Sequence, residues 1–315
     1  MWHILGAGAM GSLWAAHLAR SMGASRVTMV LRTAAWEEMG KPSQSAVRVE
    51  DACRGGKQWS VDIPVEQVHD VTPIRRLLVT TKATDAFSAM TDVSERLTED
   101  AAVVLLCNGM GVLEEMLVCE NLARFPYLLG TTTHGAYTKG RLDVVHAGVG
   151  RTWVGLPKCS NVSSTLLLNA AAPLKQTALH VSLVEHIEEA LWKKLATNAS
   201  LNGLTALVGC RNGKTIESEH GMKIINNVCT EVSEVMENSG MEFSQTDLVA
   251  STIGVARDTA LNLSSMYQDI LSGHPTEVDY INGYVVREST RLGLKAPVND
   301  TIHSLVKLKE EFGSP

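Results

Sequence analysis

The stretch Gly6-Ala7-Gly8-Ala9-Met10-Gly11 constrains this chain more than any other. Its glycines have the spacing G-x-G-x-x-G, directly after the apolar run Trp2–Leu5 and directly before a helical pattern over Ser12–Met22. That order predicts a strand, a tight turn and a helix start. In such a turn Gly6 permits the bend, Gly8 lets the main chain approach a pyrophosphate, and Gly11 lets helix and strand pack closely. The helix start adds N–H groups without intrahelical partners and the positive end of the helix dipole. Three glycines alone are compatible with a plain structural turn. Their placement between strand and helix is what points to a dinucleotide.

The rest of the first half supports that reading. Arg26–Leu31, Leu77–Thr81, Ala102–Leu106 and Tyr127–Thr133 are short apolar runs, the first three each followed by a helical or polar stretch. Continuous rather than alternating hydrophobicity predicts strands buried on both faces, as in a parallel sheet covered by helices. Leu142–Ala147 and Arg151–Gly155 read as an antiparallel hairpin turning at Gly148–Gly150. Lys41–Asp70 is polar, with Gly55-Gly56 in its middle, and predicts loop and edge structure. From Val184 the texture becomes helical, over Val184–Asn202 (with Gly203 after its end), Thr215–Ser239, Gln245–Leu263, Thr276–Leu292 and Asn299–Phe312. The fold class expected is α/β followed by all-α: a Rossmann-type dinucleotide-binding domain over 1–183 and a helical substrate domain over 184–315.

Composition limits the partners. Of 315 residues 28 are Lys or Arg and 34 are Asp or Glu, a net charge of −6, and no basic run stands out. A general nucleic-acid or anionic-membrane binder is therefore not expected. The six cysteines Cys53, Cys107, Cys119, Cys159, Cys210 and Cys229 form no C-x-x-C pair, and no histidine cluster has zinc spacing. They read as reduced thiols, and the apolar start is too broken by glycine for a signal peptide, so a cytoplasmic location is expected. Nothing predicts a metal. A small-molecule partner and a monomer or homodimer are what remain.

Several residues are candidates for chemistry. Arg32 follows the second strand, where an NAD enzyme usually carries an acid for the ribose 2′-OH. A guanidinium suits a 2′-phosphate, and no carboxylate is expected at the tip to repel one, so NADP(H) is favoured over a merely solvated arginine. Lys82 and Asn108 follow two further strands, at the end where ligands of open α/β sheets sit, although each also fits a loop-capping role. Lys194, Asn198 and Asn202 recur every four residues along one helix face. They suit a substrate carboxylate or carbonyl, and the lysine can act as a general acid; a solvated polar face has the same pattern. Thr276 and Asp279 fit a capping box, and Glu277 fits a first-turn acid.

The segments L-G-A-G-A-M-G-S-L-W (from Leu5), L-L-V-T-T-K (from Leu77), N-G-M-G-V-L-E-E (from Asn108) and L-G-T-T-T-H (from Leu129) run in order with three later ones. These are L-W-K-K-L-A-T-N-A-S-L-N-G-L-T-A-L (from Leu191), N-L-S-S-M-Y-Q-D-I (from Asn262) and H-P-T-E-V-D-Y-I-N-G (from His274). Together they resemble the ketopantoate reductase (2-dehydropantoate 2-reductase) family, across both halves. The resemblance implies reduction of 2-dehydropantoate to (R)-pantoate with NADPH, a step toward pantothenate and coenzyme A. It implies Lys194 as the acid that protonates the ketone oxygen, and Asn108, Asn198, Asn202 and Ser265 as substrate ligands. Cofactor contacts are implied for Gly6, Ala7, Gly8, Ala9, Met10, Gly11, Arg32, Lys82, Asn108, Ala136 and Glu277, the last near the nicotinamide. Closure of the helical domain over the nucleotide crevice is implied too. A reductase of another branched 2-oxo acid and a non-catalytic NADPH sensor are the competing expectations. A sensor would have no use for the complete set of substrate residues.

Overall fold

The apolar runs of the first half become the strands of one sheet. The computed structural model describes residues 1–158, 164–241 and 243–313; Cys159 lies outside them. Two compact units form, Met1–Cys107 with Val112–Glu188, and Asn108–Gly111 with Glu189–Pro315. In the first unit the strands are β1 (Trp2–Leu5), β2 (Val27–Leu31), β3 (Gln44–Asp51), β4 (Lys57–Gln67), β5 (Ile74–Val79) and β6 (Leu97–Leu105). They continue with β7 (Tyr127–Thr132), β8 (Gly135–Gly140), β9 (Asp143–Gly148), β10 (Thr152–Gly155) and β11 (Val181–Val184). The helices are α1 (Ala9–Met22), α2 (Thr33–Glu38), α3 (Ala83–Val93), α4 (Val112–Leu117), α5 (Glu120–Ala123) and α6 (Ser164–Ala171).

The sheet order is β11-β10-β7-β6-β5-β1-β2-β4-β3-β9-β8. Its centre is parallel: β1 pairs with β2 and β5, β5 with β6, and β6 with β7. Every residue of β1 and β2 is buried, as continuous apolar runs require. Only Thr133 and His134 separate β7 from β8 in the chain, so the two strands approach within at most about 11 Å. Yet they stand eight places apart in the sheet. The sheet must therefore curl, and α1 packs against β1, β2, β4, β3, β9 and β8 alike.

Three expectations are corrected here. Residues 44–67 are a long antiparallel hairpin, β3 with β4, and not loop. The alternation Trp59, Val61, Ile63, Val65 against Gln58, Ser60, Asp62, Pro64 carries it. Leu142–Gly155 is not a hairpin: β9 pairs with β8 and β3, and β10 with β7 and β11. Thr133 N–H donates to Arg151 O over 2.9 Å, which draws the chain after Gly150 to the opposite side of the curled sheet. Residues 181–184 are strand β11, paired in parallel with β10, so the helical texture starts later.

The second unit is helical, with α7 (Glu188–Val208), α8 (Asn212–Ile216), α9 (Glu219–Asn238), α10 (Gln245–Asp258), α11 (Ser265–Leu271), α12 (Asn282–Arg291) and α13 (Pro297–Phe312). Nearly every residue of α7 from Leu195 to Ala206 is buried, which makes it the central helix of the unit. It does not end before Gly203. A Cβ there would lie 2.3 Å from Ile302 Cγ2, so glycine serves close packing against α13, and α7 runs on to Gly209 at φ +74. The stretch 215–239 is broken into α8 and α9, and 276–292 into a 3₁₀ turn at Val278–Tyr280 and α12. Among the described residues no helix is long and apolar enough to cross a membrane, and no disulfide joins Cys53, Cys107, Cys119, Cys210 and Cys229.

Candidate active site

The glycine loop closes β1 onto α1. Gly6 has φ +108, and a Cβ on Gly11 would lie 1.7 Å from Gly6 O and 2.6 Å from Thr80 Oγ1. The Thr80 hydroxyl sits 3.1 Å from Leu5 O and 3.0 Å from Gly6 O, pinning the turn to the neighbouring strand. Around Gly8 the situation is opposite: a Cβ there would meet nothing within 4 Å. Gly8 is also the N-cap of α1 and offers no side-chain acceptor to the first N–H groups. Open space beside uncapped amides at a helix N-terminus fits a pyrophosphate. Ala7, Ala9 and Met10 complete the loop, all three partly exposed.

Arg32 and Lys82 stand at the carboxyl ends of β2 and β5, the strands flanking β1, as N-caps of α2 and α3. The structure thus brings Arg32, the glycine loop and Lys82 to one edge of the parallel sheet. It also corrects the expectation of a carboxylate-free tip. Asp85, in the first turn of α3, accepts a hydrogen bond from Arg32 Nη2 at 2.9 Å, with both side chains exposed. A 2′-phosphate at Arg32 would compete with that carboxylate. Ala136 stands in β8, four residues past the carboxyl end of β7, opposite His146 and packed on the core beneath α1.

In the second unit three predicted residues meet. Lys194 Nζ donates to Asn108 Oδ1 over 2.7 Å, and Asn108 Nδ2 donates to Glu277 Oε2 over 3.2 Å. An ammonium only donates and a carboxylate only accepts, so the two neighbours fix the orientation of the amide. Each support has a local cause. Residues 108–111 belong to this unit because Met110 N–H donates to Tyr280 O over 2.8 Å, and a Cβ on Gly109 would come within 2.4 Å of that oxygen. Lys194 rises from the buried helix α7. Glu277, only 6% exposed, lies in a turn that α13 clamps. Glu310 Oε1 accepts from Thr276 N at 2.7 Å, and Asp279 bonds His303 at 2.6 Å and Lys307 at 3.1 Å. Burial alone would raise the Asp279 carboxyl, but the bonds from His303 and Lys307 outweigh it and hold it below its ordinary value. The Thr276–Asp279 capping box is accordingly replaced by a tie to α13.

Asn198 is half-buried one turn along α7 and Asn202 buried two turns along, about 6 Å per step. Ser265 is the exposed first residue of α11. Its neighbour Ser264 is the buried hydroxyl, 2.6 Å from Thr205 Oγ1 and accepting from Tyr267 N at 3.1 Å. Asp85, Thr80 and the Tyr280 carbonyl escape sequence reasoning. An acid three residues after a strand-end lysine was a usable signal for Asp85; a backbone carbonyl leaves none.

An ammonium held by an amide, itself held by a buried carboxylate, is an acid fixed in one orientation. Residues 2–158 match the family model "Ketopantoate reductase PanE/ApbA", and 186–310 its C-terminal counterpart. The chain belongs to the ketopantoate reductase family. A 2-dehydropantoate 2-reductase of Vibrio cholerae is 33% identical over 316 residues, covering 99% of this chain and 98% of that protein. Among solved structures, a PanE/ApbA family ketopantoate reductase from Ralstonia eutropha superposes with a TM-score of 0.81 at 24% identity, covering 98% of each chain. D-mandelate dehydrogenase with NADH and anilino(oxo)acetate has the same fold, TM-score 0.84 at 22% identity and 98% coverage of both.

Proposed function

We propose that this ketopantoate reductase family member reduces 2-dehydropantoate to (R)-pantoate with NADPH, and that Lys194 is its proton donor. The observation that carries the roles is the Lys194–Asn108–Glu277 chain. When bound, NADPH supplies the hydride for C2 of the 2-oxo acid. As the ketone oxygen gains alkoxide character, the Lys194 ammonium stabilises that charge and then gives up a proton, leaving a neutral amine that solvent reprotonates. Asn108 and Glu277 restrict the ammonium to one direction, so little reorganisation remains at the moment of transfer. Asn198, Asn202 and Ser265 are proposed to hold the remaining oxygens of the substrate. Gly6–Gly11 would hold the pyrophosphate, Arg32 the 2′-phosphate, and Lys82, Asn108, Ala136 and Glu277 further parts of the cofactor.

The test is loss of NADPH absorbance with 2-dehydropantoate beside 2-oxoisovalerate. Saturable turnover is expected with the first, and kcat/KM on the order of 10⁴-fold lower with the second, which lacks the hydroxyl a polar site would bind. Equal rates would assign the chain to branched 2-oxo acids in general. Tight NADPH binding without turnover on either would leave only a sensor.

A further inference from the structure

The sheet curls over α1, and the face it turns inward is apolar except at a few positions. On β3 the inward side chains run Val47, Val49, Asp51; beside it run Leu142, Val144, His146. From α1 His17 meets them. All three ionisable side chains are buried, at 8%, 1% and 5% exposure for Asp51, His146 and His17. Their ligating atoms lie within 4.8 Å of one another. Burying such groups is costly unless something pairs them.

The hydrogen bonds around the cluster show what is lacking. His134 Nε2 lies 2.9 Å from Leu179 O, which only accepts, so this nitrogen carries hydrogen. His134 Nδ1 receives the Gly150 N–H at 3.1 Å and is therefore an acceptor. His146 Nε2, 2.9 Å from that same Nδ1, must then be a donor. The other nitrogen of His146, Nδ1, faces Asp51 Oδ1 at 3.2 Å. The second Asp51 oxygen is already engaged by Trp59 Nε1–H at 3.3 Å. His17 Nε2, buried beside them, finds no hydrogen-bond partner among the described residues. A proton shared between His146 and Asp51 would satisfy two of the three atoms and leave His17. A cation satisfies all three.

We propose that His17 Nε2, Asp51 Oδ1 and His146 Nδ1 hold a divalent transition-metal ion of the zinc class. Two imidazoles and a carboxylate are suitable donors for such an ion, and ligands about 2.0–2.1 Å from it stand roughly 3.3–3.5 Å apart. The His146–Asp51 separation of 3.2 Å is already there, and since no pair of ligand atoms is more than 4.8 Å apart, a shift of at most about 1.5 Å closes the site. The surroundings match the outer shell of a metal site. His146 passes its other N–H to His134 and on to a main-chain carbonyl, and the free oxygen of Asp51 is held by an indole. His17 lies eight residues into α1, about 12 Å from the nucleotide loop, so the ion ties β3 and β9 to the helix and takes no part in hydride transfer.

The experiment is titration of the full chain, stripped with EDTA, with Co²⁺ and then Zn²⁺. A visible Co²⁺ absorption band saturating at one equivalent is expected, together with displacement by Zn²⁺ and a rise in Tm. Asp51→Asn keeps the shape and the acceptor for Trp59, and His17→Gln keeps the volume. Each should abolish the band and weaken Zn²⁺ binding at least about 100-fold, with circular dichroism checking that both fold. No band in the wild-type chain overturns the proposal without recourse to any variant. So does a band that persists in both folded variants, which would place the ion on surface histidines.

Discussion

Replacing Asn108 by Ala removes the acceptor for Lys194 Nζ at 2.7 Å and the donor to Glu277 Oε2 at 3.2 Å in one step. Both bonds have an ionised partner, and such bonds contribute roughly 1.5–3 kcal/mol each. Asn108 is half-buried, so water can restore one of the two, and the net loss is about one charged bond. At about 1.4 kcal/mol per decade that lowers kcat roughly 10- to 150-fold. Because its main effect runs through the lysine while Asn108 is also proposed to touch the cofactor, the affinity for NADPH should fall clearly less than kcat, by under about tenfold. Steady-state turnover of 2-dehydropantoate and fluorescence titration of NADPH measure the two quantities separately. The double-mutant cycle with Lys194→Ala is the decisive part. Once the lysine is gone, Asn108→Ala should cost almost nothing further in kcat, a strong non-additivity. If its full effect persists in the Lys194→Ala background, or if NADPH affinity falls as far as kcat, then Asn108 does not work by orienting Lys194.

Asp85→Asn removes the carboxylate bound to Arg32 and should raise the NADPH-over-NADH preference up to about fivefold, the range of an exposed pair. Arg32→Asp should erode that preference by more than about tenfold; an unchanged ratio of kcat/KM values would take Arg32 out of the cofactor site. Gly11→Ala places a carbon 1.7 Å from Gly6 O, and the forced shift should lower Tm and weaken NADPH at least about tenfold; an unaltered thermal melt would refute the packing role. His3 is pushed from 6.5 to about 4, first by burial and then by Arg96. Below pH 6.5 the unfolded chain therefore binds a proton that the folded chain refuses. Stability is complete above 6.5 and falls as pH drops toward 4, by about 3 kcal/mol from this residue. His3→Gln should flatten urea-denaturation stability over that interval, and an unchanged slope would contradict it.

What was legible in the sequence is what short-range geometry dictates. The glycine loop could be read because a turn, an open approach and a close contact all act within six residues, and the Gly11–Gly6 contact appears where the motif requires it. The buried strands β1 and β2 could be read because both of their faces are covered. Leu142–Gly155 misled because a turn sequence says where the chain bends and not which strand it joins afterwards. Gly203 misled because its meaning is set by Ile302, a partner on another helix.

The candidate site divides the same way. Lys194, Asn108 and Glu277 were each nameable, but 86 and 169 residues separate the partners in the two bonds, and only the fold makes them one device. Asp85 shows the reverse, since the strand-end position of Arg32 was visible and the acid that holds it was not. The buried cluster is the extreme case: Asp51 and His146 are 95 residues apart, and no spacing rule for metal ligands reaches that far. Yet a signal was present. Val47, Val49, Asp51 and Leu142, Val144, His146 each place an ionisable residue in phase with an apolar alternation. A side chain in that phase faces the core by geometry, and a core admits an acid or an imidazole only with a partner of complementary charge or hydrogen bonding. Two such breaks on separate strands therefore predict that those strands are neighbours and that their odd residues face each other, as β3 and β9 do.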